Sequence, residues 1–338
     1  MKHFEFWNPR LFELPYYVYL LLASSIRGLS IKSLARANYA LDHGEIGIGS
    51  KFQTQLAFDQ KLFLPTSFLP SELDDRDKQR LIAAFASLHG YPVVLKSDIG
   101  SVGKGVVKVN CREDIEPRVL QLVGPYLVQK YTDWNFEYGV FYVRHQGKAR
   151  ITGINKKHFP TVVGDGQKDI QLLAREHPRY SNHWATFLQY LDVDRVPLSG
   201  ESVQLSFIGS HTMGCKFTDD SHLLTTGIEE SIFSIFAQQP GFNFGRLDVK
   251  APSEADFLKG KFVVIEVNGV ASLPTHMFDP DNSVRQAYGI FLRHGKHLVE
   301  SASENRHQDM MLDSYRSIIR RVRKNAQLLN SSHQRLMQ

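Results

Sequence analysis

Cysteines and long hydrophobic runs are both scarce in this sequence. Only Cys111 and Cys215 occur among 338 residues, and they stand too far apart to form a metal-binding pair. We therefore expect two reduced thiols, as is usual in the cytoplasm. The most apolar stretch, Leu11 to Ile26, is interrupted by Pro15, is too short for a spanning helix and lacks the features of a signal peptide. These absences exclude a disulfide framework and predict a cytoplasmic protein.

A large excess of charge of one sign is also absent. The 40 Lys and Arg against 35 Asp and Glu give a net charge of +5, which is compatible with anionic ligands such as nucleotides. We expect no nucleic-acid partner, and the charge leaves weak membrane association open. Internal repeats and low-complexity tracts are lacking, so no flexible linker is expected between the two or three domains that this length usually forms.

Two common phosphate-binding motifs are missing from the glycine-rich stretch between Val93 and Val107. A Walker A motif would need glycine at position 98 and Ser or Thr at position 105, where this chain has Asp98 and Gly105. No G-x-G-x-x-G sequence opens a helix here either. The stretch is therefore not a P-loop or a dinucleotide-binding turn.

What the stretch does contain is an apolar run ending in Lys96, a glycine-rich loop and a second apolar run that begins at Val106. This pattern predicts a strand, a loop and a strand. Gly100, Gly103 and Gly105 allow backbone conformations in which several amides converge on an anion such as phosphate. An ordinary surface hairpin has the same pattern and remains the alternative.

Polar side chains alternate along two later strand-like runs. Arg246 and Asp248 lie in the first run, and Glu266 and Asn268 lie in the second. Because residues two apart share one face of a strand, pairing of these strands would bring all four side chains to one face. Two carboxylates and an amide oxygen are suitable ligands for Mg²⁺, and Arg246 would then face phosphate oxygens. A solvated sheet face with an Arg–carboxylate pair is the alternative.

Before and between these two constellations the sequence predicts a succession of helices and strands, and so an α+β fold. The polar connector Ala251–Gly260 is predicted to be a turn. The predicted elements are a helix from Lys51 to about Gln60, a strand at 62–68, a helix at 71–88, strands at 126–131, 138–144 and 148–155, and a helix at 170–176.

Together these residues resemble the ATP-grasp fold, in the order and approximate spacing of carboxylate–amine ligases such as D-alanine–D-alanine ligase, glutathione synthetase and cyanophycin synthetase. The resemblance covers about Gly44 to Asp281. It implies two α+β subdomains that grip ATP, with ATP and Mg²⁺ as cofactors and small-molecule carboxylate and amine substrates. It also implies an acyl-phosphate intermediate and release of ADP and phosphate. A short apolar helical region stands in place of the usual N-terminal substrate domain.

The resemblance also implies roles for the residues at matching positions. In the family such lysines contact phosphates, the hinge strand binds adenine, and the acidic residue that follows binds the ribose hydroxyls. The implied nucleotide-binding residues are Lys51, Lys96, Gly100, Ser101, Gly103, Gln129, Lys130 and Glu137. The implied Mg²⁺ ligands are Asp248, Glu266 and Asn268.

Three further residues are implied to act at the transferred phosphoryl group. The segment Phe159–Gly166 looks like one found in cyanophycin synthetase and bifunctional glutathione synthetase, where a basic residue just upstream reaches that group. Lys156 is the candidate here, with Lys157 as the alternative. His211 begins a loop that corresponds to one near the acyl phosphate, and Arg246 would face phosphate oxygens.

Four consecutive segments are expected: an apolar region at 1–50, ATP-grasp subdomains at 51–132 and 133–295, and a basic helical tail at 296–338. Two interpretations of His276 remain: it is either a packed or solvated histidine, or a group near the acceptor site. The region 11–26 is either a buried or partner-facing helix, or an interfacial membrane helix with Trp7 at the headgroups.

Two alternative functions remain. One is a small-molecule kinase of the same fold, and the other is a nucleotide-binding or membrane-associated regulatory protein.

Overall fold

The computed structural model describes residues 3–47, 49–100, 103–181, 187 and 191–336. Ser101, one of the predicted nucleotide-binding residues, lies outside the described residues. The chain forms two compact units. The first comprises Met1–Leu64, Asp133–Lys156 and Phe217–Asn325, and the second comprises Pro65–Thr132, Lys157–Lys216 and Ala326–Gln338. This division differs from the four consecutive segments expected from the sequence, because strands that are distant in the chain pair with one another.

Strands and helices are interspersed along the chain. The strands are β1 Thr66–Leu69, β2 Val93–Ser97, β3 Val106–Val109, β4 Tyr126–Lys130, β5 Phe136–His145, β6 Lys148–His158, β7 Thr161–Val163, β8 Ser202–Gln204, β9 Lys216–Asp219, β10 Phe244–Ala251 and β11 Val263–Asn268. The helices are α1 Pro9–Ile26, α2 Lys51–Leu56, α3 Asp75–His89, α4 Ile115–Val119, α5 Ile170–Glu176, α6 Thr226–Ala237, α7 Glu254–Leu258, α8 Val284–Glu304 and α9 Tyr315–Leu336.

The first unit is built around a sheet with the strand order β11-β10-β5-β6-β9. One face of this sheet is apolar, since alternate residues of each strand, such as Val140 and Leu247, are fully buried. Helix α6 covers this face, and the ring of its Phe236 stacks on Tyr142 with 3.9 Å between centroids. The side chains that point away from this core are therefore the ones available for a site.

Helices α8 and α1 cover one end of the opposite face. A capping box at Ser283 and Gln286 begins α8, and this helix packs on the sheet through Phe291. The ring of Tyr16 in α1 stacks on Phe291 with 4.0 Å between centroids. At Gly295 a Cβ atom would lie only 2.8 Å from the Tyr16 ring, so the two helices can approach closely only because this residue is glycine.

The second unit contains a four-stranded antiparallel sheet with the order β1-β4-β2-β3. Helix α3 begins with Asp74, whose side chain accepts a hydrogen bond from the Asp77 amide at 2.8 Å. Helices α3 and α4 pack on one face of this sheet, where Val93 and Leu95 are fully buried. The other face carries Lys96, Lys108 and Gln129 beside the apolar Val94 and Leu127.

The antiparallel sheets confirm the α+β fold class, and the pairing of β2 with β3 confirms the predicted hairpin. The connector after β10 is not a simple turn as predicted, because Ser253 caps the short helix α7 there. Both cysteines are free thiols, as expected. Among the described residues no single helix is long and apolar enough to cross a membrane. Helix α1 meets that criterion only together with the 3₁₀ helix Ile31–Asn38, and the two are bent by 85° relative to each other.

Candidate functional site

The pairing of β10 with β11 places polar side chains directly opposite one another. Arg246 lies opposite Asn268, and Asp248 lies opposite Glu266. Residues opposite each other in an antiparallel pair point to the same face, so the strand pairing predicted from the sequence is confirmed. We call the polar part of this side of the first unit's sheet the polar face; it carries Glu137, Asn155, Arg246, Asp248, Lys250, Glu266 and Asn268.

Arg246 and Asp248 form a bidentate ion pair at the centre of the polar face. The Arg246 Nε donates to Asp248 Oδ1 at 2.7 Å, and Nη2 donates to Oδ2 at 3.0 Å. Paired charge-assisted bonds of this kind fix both the position and the orientation of the two side chains. The Asn268 amide nitrogen lies 3.4 Å from the same Oδ2 atom. The buried Asp248 carboxylate is therefore held between one cation and one amide.

Glu266 pairs with a lysine that the sequence assigns to nucleotide binding. Lys51 is the first residue of α2, which the side chain of Ser50 caps by accepting from the Gln53 amide at 3.1 Å. The Lys51 Nζ lies 3.4 Å from Glu266 Oε1. The structure thus brings together a predicted phosphate-binding residue and a predicted metal ligand.

Glu45 is a half-buried acid beside this pair that sequence reasoning did not single out. Its Oε2 accepts a hydrogen bond from the Gly269 amide at 2.7 Å, and its Oε1 accepts from the Thr54 hydroxyl. Burial, with a smaller effect of the nearby Glu266 charge, raises the pKa of Glu45 to about 7. The sequence feature that could have identified Glu45 is its position in a glycine-rich turn just before Lys51. Glu45 holds the end of β11 in place.

Glu137 lies on the polar face but is paired with a lysine. It is directly opposite Lys250, and the Glu137 Oε2 lies 3.6 Å from the Lys250 Nζ. Both residues are buried. The sequence implied ribose binding for Glu137 and did not identify Lys250, because the relevant contact depends on the pairing of β5 with β10.

Gly139 leaves space for its neighbours on the polar face. A Cβ atom there would lie 2.2 Å from Asn155 Oδ1 and 3.0 Å from Arg246 Cδ. The Asn155 Oδ1 accepts a hydrogen bond from the Thr275 hydroxyl at 2.9 Å, which fixes the amide. A side chain at position 139 would therefore displace Asn155 and Arg246.

The donor set of the polar face fits a magnesium ion. Asp248 and Glu266 offer carboxylates from opposite positions of neighbouring strands, where Cα atoms lie about 4.5–5.5 Å apart, and Asn268 adds an amide. Among the described residues no group of three or more His, Cys, Asp or Glu could hold a metal ion. A site with two acids and an amide suits Mg²⁺, which takes few protein ligands and completes its shell with water and phosphate.

The structure does not bring Lys156 to the polar face. Ile154 and Lys156 point to the apolar side of β6, where Lys156 Nζ lies 2.5 Å from Glu254 Oε2 and 5.8 Å from the Tyr138 ring centre. The Tyr138 hydroxyl donates to the same Glu254 oxygen at 3.1 Å. The alternation of side chains along β6 places Lys157, the other candidate, on the same face as Asn155.

His276 is a packed histidine. It is buried, and its ring lies 4.8 Å from that of Phe141, with Gly153 directly beneath it. Burial lowers its pKa to about 3. The same holds for His294, which bonds the Ser272 carbonyl at 2.9 Å and whose pKa is also lowered to about 3 by burial. Both imidazoles are neutral at physiological pH.

In the second unit, Lys96 and Gln129 are in direct contact. The Lys96 Nζ donates to Gln129 Oε1 at 2.5 Å, and Gln129 Nε2 donates to the Thr66 hydroxyl at 2.9 Å. Lys130 follows with an exposed side chain, and its amide bonds the Pro65 carbonyl at 2.9 Å. Two residues assigned to nucleotide binding therefore lie together on the face that α3 and α4 leave uncovered.

Lys108 lies on that same face and was not identified from the sequence. It is opposite Val94 in the β2–β3 pair. Its Nζ lies 4.0 Å from the ring centre of Tyr131 and 5.9 Å from that of Phe207. A cation over aromatic rings is a favourable arrangement. The sequence did not predict the contact between Lys108 and Phe207 because the two residues are far apart in the chain.

The glycine loop between β2 and β3 packs against two segments of the second unit. A Cβ atom at Gly100 would lie 2.6 Å from Leu329 of α9, and one at Gly103 would lie 2.5 Å from Ile208. Gly103 also has a φ of 76°, which favours glycine. The turn that contains His211 ends at Met213, a further neighbour of Gly103. The structure thus brings the His211 loop next to the glycine loop.

No protein-family model matches the chain, and no curated protein sequence matches it. Solved structures that are similar include the bifunctional glutathione synthetase from Pasteurella multocida, with 17% identity and a TM-score of 0.36 over 72% of this chain. D-alanine–D-alanine ligase from Bacillus anthracis has 12% identity and a TM-score of 0.43 over 75%. Carboxyaminoimidazole ribonucleotide synthase from Aspergillus clavatus, complexed with ATP, has 13% identity and a TM-score of 0.40 over 66%.

These solved structures are ATP-grasp ligases. Their fold is the one that the sequence motifs of this chain resemble. This chain covers 35%, 66% and 44% of their respective lengths, which is between about a third and two thirds.

Proposed function

We propose that this protein is an ATP-dependent ligase that joins a carboxylate to an amine through an acyl phosphate and releases ADP and phosphate. The observation that carries the proposal is the register of β10 and β11, which sets Arg246 and Asp248 beside Asn268 and Glu266. Lys51 adds a second cation to the same face. Arg246 and the two carboxylates on the strand pair, together with Lys51 at the start of α2, are suited to hold a metal–phosphate group.

The chemistry requires positioning and charge neutralisation rather than a protein nucleophile. An oxygen of the substrate carboxylate attacks the γ-phosphorus, and the bond from phosphorus to ADP breaks. The amine then attacks the acyl carbon, and phosphate leaves. Arg246 and Lys51 would stabilise the negative charge that spreads over the phosphoryl oxygens. His211 and Lys157 are further candidates for contact with the transferred group, whereas Lys156 is held by Glu254 on the apolar side of β6.

We further propose Asp248, Glu266 and Asn268 as ligands of Mg²⁺, which when bound would neutralise phosphate charge. The Arg246–Asp248 and Lys51–Glu266 pairs keep these carboxylates oriented, and on metal binding the cations would turn to the phosphate oxygens. Glu45 would support the site by fixing the amide of Gly269, next to Asn268.

In the second unit the proposed nucleotide-binding residues are Lys96, Gln129 and Lys130, together with Gly100 and Gly103 of the glycine loop. Gln129 offers an amide oxygen that now accepts from Lys96 at 2.5 Å. On nucleotide binding that oxygen would accept from the adenine amino group, while Lys96 would contact phosphate. In the first unit, Glu137, which is paired with Lys250 at 3.6 Å, is the residue that we propose for ribose hydroxyls.

The experiment that tests this proposal is product analysis with ATP, Mg²⁺ and a panel of carboxylates and amines. A ligase of this type releases ADP and phosphate one for one, and only when both substrates are present. Hydroxylamine in place of the amine should trap a hydroxamate. AMP and pyrophosphate would mean adenylation and would refute the proposal. A stable phosphorylated product would identify a small-molecule kinase, and ATP binding without turnover would indicate a regulatory protein.

A further inference from the structure

Helix α1 is apolar on both of its long faces, although only one of them is buried. Phe12, Tyr16 and Leu20 recur at four-residue intervals and pack on α8. The opposite side is exposed and carries large apolar side chains along its whole length. We call this side the outer face of α1; it consists of Leu11, Leu14, Tyr17, Val18, Leu21, Leu22 and Ile26.

A helix on the surface of a soluble protein normally presents polar residues to water. On the outer face of α1, Leu14 is 56% exposed, Leu21 54% and Ile26 87%. Single exposed apolar residues such as Leu88 of α3 are common, but a continuous stripe marks a surface that binds something apolar. The outer face is therefore an interaction surface of the first unit.

The charges at the edges of the outer face indicate its partner. Arg10 lies at the start of α1 and Arg27 follows its end; both are exposed, and the Arg27 Nη2 donates to Glu300 Oε1 of α8 at 3.5 Å. Arg306 adds a further exposed cation there, donating to the Arg27 carbonyl at 3.4 Å. The only acid in α1 is the half-buried Glu13, which accepts from the Tyr17 hydroxyl at 3.2 Å and whose pKa is raised by burial. The face is thus bordered by positive charge.

This arrangement disfavours a second copy of the chain as the partner. If two outer faces met around a two-fold axis, α1 would pair either antiparallel or parallel with its copy. Arg10 would then face Arg27 of the other copy in the first case and Arg10 in the second. Both arrangements bring like charges together. A lipid surface offers both kinds of contact: its apolar layer accommodates the outer face, and its anionic headgroups attract the arginines.

We infer that the outer face of α1 lies on the surface of an anionic lipid bilayer, parallel to it, with Arg10, Arg27 and Arg306 at the headgroups. Trp7 precedes the helix and is 40% exposed, and Tyr17 is part of the outer face. Such side chains, with an apolar ring and a polar group, favour the boundary between headgroups and acyl chains. The inference does not depend on the proposed ligase activity.

The experiment is co-sedimentation of the full chain with vesicles of phosphatidylcholine containing phosphatidylglycerol. Wild-type protein should bind these vesicles, bind less to pure phosphatidylcholine, and be partly released by high salt. The double variant Leu14→Glu/Leu21→Glu should bind at least about tenfold more weakly, because two apolar anchors are replaced by charge. Leu88→Glu is the matched control, since it adds charge at an exposed leucine outside α1, and it should bind like wild type.

A second measurement avoids variants of the stripe. Bromine-labelled lipids should quench the tryptophan fluorescence of the wild-type protein, and Trp7→Phe should lose much of that quenching. Equal vesicle binding by wild type, Leu14→Glu/Leu21→Glu and Leu88→Glu would overturn the inference. So would failure of the wild type to bind or to be quenched. A wild-type dimer that the double variant alone dissociates would identify a second copy as the partner.

Discussion

At the scale of single residues, the ion pairs of the polar face show which charges the proposed chemistry depends on. Glu266 is held by Lys51 and lies opposite Asp248. We predict that Glu266→Gln lowers Mg²⁺-dependent ATP turnover by about 100-fold or more at limiting metal, because it removes a charge and keeps the shape. Titration with Mg²⁺ measures this. Glu230→Gln, at an exposed site on α6, is the control, and an unchanged titration for Glu266→Gln would favour a merely solvated face.

Lys96 is the corresponding residue of the second unit. Its Nζ is 2.5 Å from Gln129 Oε1, and the chain would keep its core without this side chain. Losing a preorganised charged contact typically costs about 10²–10³ in rate, and we expect Lys96→Ala to lower turnover by that amount. The exposed Lys148→Ala should turn over normally. If folded Lys96→Ala were as active as that control, Lys96 would not belong to the site.

His276 gives a prediction about pH and stability. Burial lowers the pKa of its imidazole from 6.5 to about 3, so the folded state binds its proton less readily than the unfolded state. Its contribution to the free energy of unfolding is complete above about pH 6.5 and is lost as the pH falls toward 3. The difference in stability between wild type and His276→Gln should shrink over this range in urea unfolding. A constant difference between wild type and His276→Gln over this range would contradict the burial argument.

At the scale of elements, the close packing of β5, β6 and β10 depends on the glycine at position 139. A Cβ atom would meet Asn155 Oδ1 at 2.2 Å. We predict that Gly139→Ala lowers the free energy of unfolding by about 1–3 kcal/mol, the usual cost of overpacking. Displacement of Arg246 should also lower turnover. Gly289→Ala in α8 is the control, because its Cβ would meet only the end of Arg293 at 3.5 Å; equal stability of the two variants would contradict the prediction.

The elements also show what local sequence can predict. The alternation in β10 and β11 was sufficient to predict that Arg246 and Asp248 share a face with Glu266 and Asn268, because this depends on period and pairing alone. The choice of Lys156 over Lys157 required the direction of each side chain of β6, which is set by the core that the strand joins. The helix α7 was missed because it is short and begins at a serine cap within a polar connector.

At the scale of the whole molecule, the division into two units could not be obtained from the sequence. Segment 133–156 joins the first unit because β5 pairs with β10, about a hundred residues further along the chain. Lys108 and Phe207 meet in the second unit for the same kind of reason. Glu137–Lys250 is a third example. Much of the candidate site is formed by contacts between segments that are distant in the chain, and no local sequence pattern predicts such contacts.

The most direct test of the proposed function is to follow an oxygen atom from the carboxylate substrate. Once a substrate pair is found, the carboxylate is labelled with ¹⁸O and the released phosphate is analysed by mass spectrometry. An acyl-phosphate ligase must transfer one carboxylate oxygen to each phosphate, because the bond between that oxygen and the acyl carbon breaks when the amine attacks. We predict one ¹⁸O atom in each phosphate released. Unlabelled phosphate, or label in AMP, would contradict the proposal.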